Sequence, residues 1–427
     1  MILFETFGLF MLLTLVGVPL VYGLLVSTAG VIFAKGLSYP LTSVFLSYIG
    51  GVEPFILIAV PLFILAGEVL SRGGVGLRIV TFATVLLGFL PGGLGISTVA
   101  SSLVFGGISG SAIADTAAIG SVMTPAMIRK GYSPGFAGAL MSTAGTLAVV
   151  MPPSIPMLVY AFVAGASVRD LFLAGVVPAF LFALGLMLVC AWTGIKTGCD
   201  NGHQRVPARV VGQAFLAALP ALIMPVIILG GIWTGTFTPT EAAAVAVVYG
   251  LFVSMIIYRD LTVRDLPALF LKAFITSGVV MVVIGATGSL AWLITVEQVP
   301  VQLAGLVTEY AHSQWMFLFL VNIALLALGC FIEPVPALIL AAPLLVPLAA
   351  AFKIDLVHFG LIMTCNLAIG LYTPPVGGTL MVGARLAGVG MGAVVRALIP
   401  QLMISVVILF LITYVPAIGL SLVRLFR

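Results

Sequence analysis

The sequence predicts an all-α polytopic membrane protein built from two inverted repeats. The 427 residues are 62% hydrophobic and only 7% charged, which leaves too few charges to cover the surface of a water-soluble domain. Apolar runs of about 20 residues, each long enough to cross a bilayer as a helix, recur along the chain. Prolines that interrupt corresponding apolar segments in the two halves indicate the repeat.

The proline repeat has a spacing of 222 residues. Four prolines of the first half, two of them adjacent, return in the second half at this spacing, and other residues match in the same register. The matched positions include Pro125 with Pro347, Pro152-Pro153 with Pro374-Pro375, Pro178 with Pro400, Gly107 with Gly329 and Met141 with Met363. Internal repeats of hydrophobic segments interrupted by Gly and Pro are typical of secondary transporters, and the interruptions indicate the binding site.

Two apolar stretches, 93–130 and 314–352, are interrupted at their centres. The first contains Gly106-Gly107 and Ser109-Gly110-Ser111, and the second contains Glu333-Pro334. Each half is predicted to be too short to cross the membrane, so each stretch is predicted to be a re-entrant helical hairpin. Irregular backbone at that depth requires support from protein or a water-filled cavity.

Nine further segments are predicted to span the membrane, and two to lie along its surface. The spans are 6–34, 52–71, 134–165, 170–195, 212–234, 238–258, 272–295, 355–388 and 395–423. The surface segments are 76–91 and 298–313, the second of which is amphipathic. The polar stretch 196–210 is predicted to be a cytoplasmic linker between the repeats.

The distribution of basic residues predicts the orientation. With the N-terminus in the cytoplasm, twelve of the 17 Lys and Arg residues lie on the cytoplasmic side, as the positive-inside rule requires. Lys35 is among the five on the other side. Five spans separate the starts of the two repeats, so the repeats are predicted to be inverted. The first hairpin then enters from the cytoplasm and the second from outside.

The first cluster of candidate functional residues is the tip of the first hairpin, with Ser109, Ser111 and Asp115. The second half-helix begins at this tip, so its free N–H groups and the serine hydroxyls favour an anion. The alternative is that small residues only allow close helix packing. Asp115 either meets a ligand or caps the half-helix.

The Pro-Pro breaks form the second cluster. Two consecutive prolines remove two N–H donors and free the carbonyls one turn earlier, and such carbonyls suit Na⁺. The register predicts two pseudo-symmetric cation sites, near the carbonyls of Ala148, Met151 and Pro153 and of Gly370, Thr373 and Pro375. The alternative is that each pair only kinks its helix.

Glu333, at the second hairpin tip, is the third candidate. A carboxylate inside a membrane needs a partner, a proton or a cation. Contact with substrate, capping of the following half-helix and titration are the alternatives, and substrate contact is the one we predict. Glu68 lies in an apolar run and receives no role from the sequence.

Six motifs together resemble the large membrane subunit of the tripartite ATP-independent periplasmic (TRAP) transporters. They are LFILAGE at 62–68, SGSAIAD at 109–115, PAMIRKGY at 125–132, PPS at 152–154, FTPTEAA at 237–243 and TPPVG at 373–377. The resemblance runs nearly end to end. It implies a Na⁺-coupled, elevator-type importer of organic acids, such as C4-dicarboxylates, sialic acids or other sugar acids, in the bacterial inner membrane. It also implies two protein partners, a periplasmic substrate-binding protein and a small four-helix membrane subunit, beside the membrane lipid.

The resemblance also implies roles for particular residues. Substrate contacts are implied at Ser109, Ser154 and Glu333. Na⁺ ligands are implied around Ser109, Ala148, Met151 and Pro153, and around Gly329, Gly370, Thr373 and Val376.

The elevator model divides the chain into a transport domain and a scaffold. The predicted transport halves are 92–165 and 314–388. The predicted scaffold comprises 1–91, 166–313 and 389–427.

Other functions are weighed against this prediction. A stand-alone Na⁺/carboxylate symporter of the same architecture differs only in needing no partner. An intramembrane enzyme is disfavoured because His203, His312 and His358 lie at segment edges or in loops and no HExxH metal motif occurs. A passive channel is disfavoured because two hairpins that break within the membrane build an occluded site. The net charge of +4 does not indicate a nucleic-acid partner.

Overall fold

The computed structural model describes residues 2–200, 206–299 and 313–426, and every regular element in these ranges is helical. We label the helices in chain order. They are α1 Ile2–Leu15, α2 Leu20–Ala34, α3 Leu41–Val52, α4 Ala59–Arg72, α5 Val75–Leu87, α6 Gly93–Ser109, α7 Ala112–Arg129, α8 Pro134–Ala144, α9 Leu147–Val150, α10 Ile155–Ala164, α11 Val168–Thr197, α12 Ala208–Trp233, α13 Pro239–Phe252, α14 Leu266–Val296, α15 Gln314–Gly329, α16 Pro334–Ala351, α17 Leu356–Gly370, α18 Gly378–Ala387, α19 Met391–Tyr414 and α20 Pro416–Phe426.

The prediction of one span over 6–34 is wrong. The chain turns at Gly17, which has a φ of 94°, and α2 begins after Pro19, where the proline ring prevents continuation of α1. Lys35 Nζ lies 2.7 Å from Glu5 Oε1, so α1 and α2 are antiparallel and Glu5 lies at the same end of the pair as Lys35. The prediction that Lys35 lies across the membrane from the N-terminus is therefore also wrong, and the span count that predicts inverted repeats loses its first crossing.

Three other boundaries differ from the prediction. The sequence analysis missed α3, whose glycines allow close packing on α14. The predicted span 395–423 is divided at Val415, because Pro416 starts α20. Helix α16 has 18 residues and is apolar enough to cross a membrane, so the prediction that each hairpin half is too short fails for this arm.

Seven helices in the described ranges are long and apolar enough to span a membrane, or eight if a bent pair counts as one span. The bent pair is the first Pro-Pro-broken helix, α8–α10, which turns by 42° at its break. Both Pro-Pro peptide bonds are cis. Helix α5 occupies the first predicted surface segment, whereas most of the second, 300–312, lies outside the described residues.

The hairpins and the broken helices pack on one another through small residues. A Cβ on Gly138 of α8 would lie 2.8 Å from the Gly383 carbonyl oxygen of α18, so these two backbones are in direct contact. Glycines allow such approach in membrane proteins, where helix association depends on close van der Waals packing. Helices α11 and α19 also contact these elements closely. The division into a scaffold and a transport domain states which parts of the chain move, and it stays a prediction.

The beginning of the predicted linker is attached to the first hairpin. The Asp200 carboxylate accepts hydrogen bonds from the Leu94 backbone N–H at 2.8 Å and from the Tyr132 hydroxyl at 3.1 Å. Asp200 is buried, and its backbone carbonyl accepts from the Gly92 N–H. The residues that follow, 201–205, lie outside the described ranges. The start of the linker therefore holds the base of the hairpin in place.

Candidate functional site

The tips of the two hairpins line one cavity. It has a volume of about 190 Å³, which is many times the minimum that holds a single water molecule. The tip of the first hairpin contributes Ser109 to Ala114, and the second contributes Glu333 to Pro336. Helices α4 and α14 form the facing wall. The lining residues of that wall are Ile64, Gly67 and Glu68 from α4, and Thr276, Val279, Val280 and Val283 from α14.

Gly67 sets the distance between the α4 wall and the first hairpin. A Cβ at this position would lie 2.9 Å from the Ser109 carbonyl oxygen and 3.2 Å from its Cα. Only a residue without a side chain therefore allows the hairpin tip to contact α4. The glycine of the LFILAGE motif has a packing role that its sequence pattern did not reveal.

Ser109 and Asp115 form a buried polar pair behind the first tip. The Ser109 hydroxyl donates a hydrogen bond to Asp115 Oδ1 and accepts one from the Ser111 N–H at 3.2 Å. Asp115 is fully buried, and its second oxygen, Oδ2, has no hydrogen-bond partner among the described residues. Ser111, and not Asp115, occupies the N-cap position of α7. The alternative that Asp115 caps the half-helix is therefore wrong, and its carboxylate has an oxygen available to a proton or a cation.

Glu333 is exposed and occupies the N-cap position of α16, but its side chain makes no capping hydrogen bond. The capping alternative is therefore wrong, and the carboxylate remains available within the cavity. Ser111 holds the corresponding N-cap position of the first hairpin, 222 residues earlier. The positions that begin the second arms thus correspond in the two halves.

At the breaks after α9 and α17, the backbone carbonyls that lack a helical amide donor accept hydrogen bonds in corresponding ways. Pro153 and Pro375 cannot donate to the carbonyls of Val149 and Leu371, four residues earlier. The Ser154 hydroxyl instead donates to the Val149 carbonyl at 2.5 Å. The Leu371 carbonyl accepts from the hydroxyl of Thr379 at 2.9 Å and from its N–H at 3.1 Å. Hydroxyl groups replace the missing amide donors in both halves.

Each hairpin contacts the break of its own half at the backbone. A Cβ on Gly106 would lie 2.8 Å from the Ala148 Cα, and a Cβ on Gly329 would lie 3.1 Å from the Gly370 Cα. Ala148 and Gly370 are 222 residues apart. The Gly377 N–H also donates to the Cys330 carbonyl at 3.4 Å. The fold therefore places each of the two predicted groups of cation-binding residues beside the hairpin arm of its own half.

The predicted site residues differ in their access to the cavity. Ser109 and Glu333 line it, whereas Ser154 is buried outside its lining and caps α10 by accepting from the Met157 N–H at 3.4 Å. Of the predicted Na⁺ ligands outside the cavity, Val376 is the most accessible, with 39% exposure. The others are buried or half-buried, namely Ala148, Met151, Pro153, Gly329, Gly370 and Thr373.

A family model matches residues 7–418 of this chain, and its description is "Tripartite ATP-independent periplasmic transporter, DctM component". The chain belongs to this family. The resemblance found in the sequence is confirmed. As a DctM-family protein, the chain is an inner-membrane permease subunit with a role in transport and not an enzyme.

Relatives in the DctM family match over most of their length. The chain is 42% identical over 370 residues to the C4-dicarboxylate TRAP transporter large permease protein DctM of Pseudomonas aeruginosa, covering 87% of this chain and 86% of the relative. It is 37% identical over 433 residues to the DctM protein of Rhodobacter capsulatus, which also carries the C4-dicarboxylate name, and 98% of each chain is covered.

The fold itself also occurs outside the DctM family. The structure of MtrF from Neisseria gonorrhoeae, titled as one of a class of antimetabolite efflux pumps, matches with a TM-score of 0.57 and 14% sequence identity. The match covers 90% of this chain and 84% of MtrF. At this identity the likeness concerns the fold alone. The predicted all-α membrane class is confirmed.

Proposed function

We propose that this DctM-family subunit imports an organic anion together with Na⁺, and that C4-dicarboxylates are the first substrates to test. The cavity that Ser109 and Glu333 both line is the observation that carries this proposal. It offers hydroxyl and carboxylate groups to a small solute between two helix starts. The substrate class rests on the names of the two DctM relatives.

Coupling to Na⁺ is supported by the two proline breaks. Pro152 and Pro374 remove the i+4 amide donors of the Ala148 and Gly370 carbonyls, and the Gly370 carbonyl accepts from the Thr373 N–H at 3.0 Å instead. Ala148 and Gly370 each contact a glycine of the hairpin arm in their own half. Carbonyl oxygens of broken helices are suitable ligands for Na⁺. Each Na⁺ that moves inward through a potential of about 100 mV provides about 2.3 kcal/mol, and each negative charge of the anion costs the same amount. Two Na⁺ therefore cancel the cost of importing a dicarboxylate of charge −2, and the Na⁺ concentration gradient supplies the net drive.

The corresponding contacts of the two halves support a repeated unit, and the inversion of the repeats and an elevator motion are parts of this proposal. In this proposal the hairpins and broken helices of 92–165 and 314–388 move together, and the wall of α4 and α14 stays in place. The Gly67 contact with Ser109 then lies at the sliding surface. A periplasmic substrate-binding protein delivers the anion, and the small four-helix subunit holds the scaffold in the lipid bilayer.

The experiment that tests this function is uptake into proteoliposomes. Labelled succinate and N-acetylneuraminate are supplied with and without an inward Na⁺ gradient, the small subunit and the binding protein. Uptake that requires all three supports the proposal. Na⁺-driven uptake by this chain alone would favour a stand-alone symporter, and uptake without Na⁺ would refute the coupling.

We expect Asp115→Asn to lower the apparent affinity for Na⁺ in uptake. Asp115 Oδ2 is buried without a hydrogen-bond partner, and a buried carboxylate is costly unless a proton or cation neutralises it. Removal of its charge should raise the Na⁺ concentration for half-maximal uptake about tenfold, which corresponds to about 1.4 kcal/mol.

The measurement for Asp115→Asn is a Na⁺ titration of uptake at saturating anion. Ser121→Ala is a matched control, because Ser121 lies on the same helix but is exposed and donates only to the Ala118 carbonyl. An unchanged Na⁺ titration in Asp115→Asn would remove this carboxylate from the coupling mechanism.

A further inference from the structure

An ion pair lies in the cavity wall opposite the hairpin tips. Lys272 Nζ of α14 is 2.8 Å from Glu68 Oε2 of α4. The Glu68 side chain is only 13% exposed and lines the cavity, whereas the Lys272 side chain is 63% exposed. The pair therefore connects a residue of the cavity with a cation at its edge.

The cavity has an unfavourable charge for an anion. Its described lining contains two carboxylates, Glu68 and Glu333, and no Lys or Arg. An organic anion that enters meets both of these groups, and like charges brought together in a partly desolvated site repel strongly. Lys272 offsets the charge of Glu68 directly. The same ammonium group is the cation that the structure places in contact with a lining carboxylate of the cavity.

Lys272 is placed to reach an anion in the cavity. It lies one helical turn before Thr276, which lines the cavity, and residues four apart share one face of a helix. The lysine stem is flexible, and its ammonium group has three donors, of which the contact with Glu68 uses one. A change of side-chain rotamer that turns the ammonium group towards Thr276 is therefore the movement that the exchange requires.

We propose that Lys272 exchanges Glu68 for the carboxylate of the transported anion at the mouth of the cavity. This inference rests on the proposed transport of an organic anion. Glu68 and the anion then compete for one ammonium group. Glu68 therefore promotes release of the anion when it pairs with Lys272 again. Arg72, one turn beyond Glu68, and Lys272 belong to the group of basic residues that the positive-inside rule places on the cytoplasmic side, and on that basis the exchange belongs to the release of the imported anion.

A double-mutant cycle separates this exchange from simple neutralisation of Glu68. The proteins are wild type, Lys272→Gln, Glu68→Gln and the double variant, each in complex with the small subunit in lipid nanodiscs. The measurements are the Kd and the dissociation rate of the labelled anion that the wild type takes up, succinate or N-acetylneuraminate, at saturating Na⁺.

We expect Lys272→Gln to raise the Kd about fivefold, in the range that exposed ion pairs support. The double variant should bind as weakly, because removal of Glu68 does not replace the contact of the anion with the ammonium group. Glu68→Gln alone should slow dissociation about threefold, since the competitor for Lys272 is gone. Lys272→Arg should retain most of the affinity.

Two results would overturn the exchange. A double variant with wild-type Kd would mean that Lys272 only neutralises Glu68, and an unchanged Kd in Lys272→Gln would mean that the lysine has no role in binding. The partly exposed pair of Glu5 and Lys35, at 2.7 Å, is the matched control. Its Gln variants lose an ion pair of similar length outside the cavity lining and should leave the Kd unchanged.

Failure of the proposed function itself is distinguishable. In that case the wild-type complex takes up neither labelled anion, and the exchange is overturned together with the function. If wild-type uptake is normal, the binding cycle decides the role of Lys272 alone.

Discussion

Glu333→Ala is expected to abolish anion uptake while the protein still inserts into the membrane. The Glu333 carboxylate lines the cavity at the start of α16 and makes no capping hydrogen bond, so helix stability does not depend on it. Hydrogen bonds to a charged group contribute about 1.5–3 kcal/mol, and their loss lowers substrate affinity by at least about tenfold. Loss of the contact by which Glu333 positions the substrate lowers the rate of uptake further.

The measurement is the initial rate of malate uptake, normalised to the amount of inserted protein, because malate is a C4-dicarboxylate whose hydroxyl group can donate to the Glu333 carboxylate. Glu333→Gln separates charge from hydrogen bonding, since the amide keeps an acceptor of the same size. Glu53→Ala is the control, because Glu53 is an exposed carboxylate outside the cavity lining. Wild-type rates in Glu333→Ala would remove this residue from the site.

Gly370→Ala is expected to have the second large effect. The added Cβ would lie 2.5 Å from both the Cα and the carbonyl carbon of Gly329, a distance that real Cβ atoms do not reach. These are backbone atoms, so the second hairpin has to move away from the broken helix. The carbonyl groups on which the proposed second Na⁺ site depends then separate. We expect the rate of uptake to fall at least tenfold, which corresponds to a free-energy loss of about 1.4 kcal/mol or more.

Gly278→Ala is the matched control for Gly370→Ala. Gly278 is also a helical glycine, but a Cβ there meets nothing within 4 Å. Its uptake should stay at the wild-type level, and alanine should even favour the helix. Gly329→Ala, with a Cβ 3.1 Å from the Gly370 Cα, tests the same contact from the other side. Normal uptake and an unchanged Na⁺ titration in both Gly370→Ala and Gly329→Ala would contradict the proposed second Na⁺ site.

The interruptions of the helices were predictable because they follow from the residues themselves. A Pro-Pro pair cannot continue the hydrogen bonds of a helix in any surroundings, so the breaks at Pro152 and Pro374 appear where the sequence indicates them. The break before Lys35 was missed although Gly17 and Pro19 mark it, because a single proline within an apolar run can also mark only a kink in one span. The contact of Glu5 with Lys35 shows that the chain turns back there.

The residues of the candidate site were predictable only in part. Ser109 and Glu333 stand at breaks in apolar segments, which is a local signal that sequence analysis can use. Glu68 carries no such signal, because a single glutamate within an apolar helix can face a cavity, a neighbouring helix or lipid. Its partner Lys272 lies 204 residues away in the chain, and only the packing of α4 on α14 joins them.

The sequence by itself determined the membrane class, the helix breaks, the hairpin tips and the membership of the DctM family, because composition and proline chemistry act locally. The tertiary structure decided which polar groups meet. It turned Asp115 towards Ser109, used the Ser154 hydroxyl to satisfy the Val149 carbonyl, and left Glu333 free in the cavity. These choices depend on distances of a few ångströms between helix backbones, and such distances are set by packing over the whole fold.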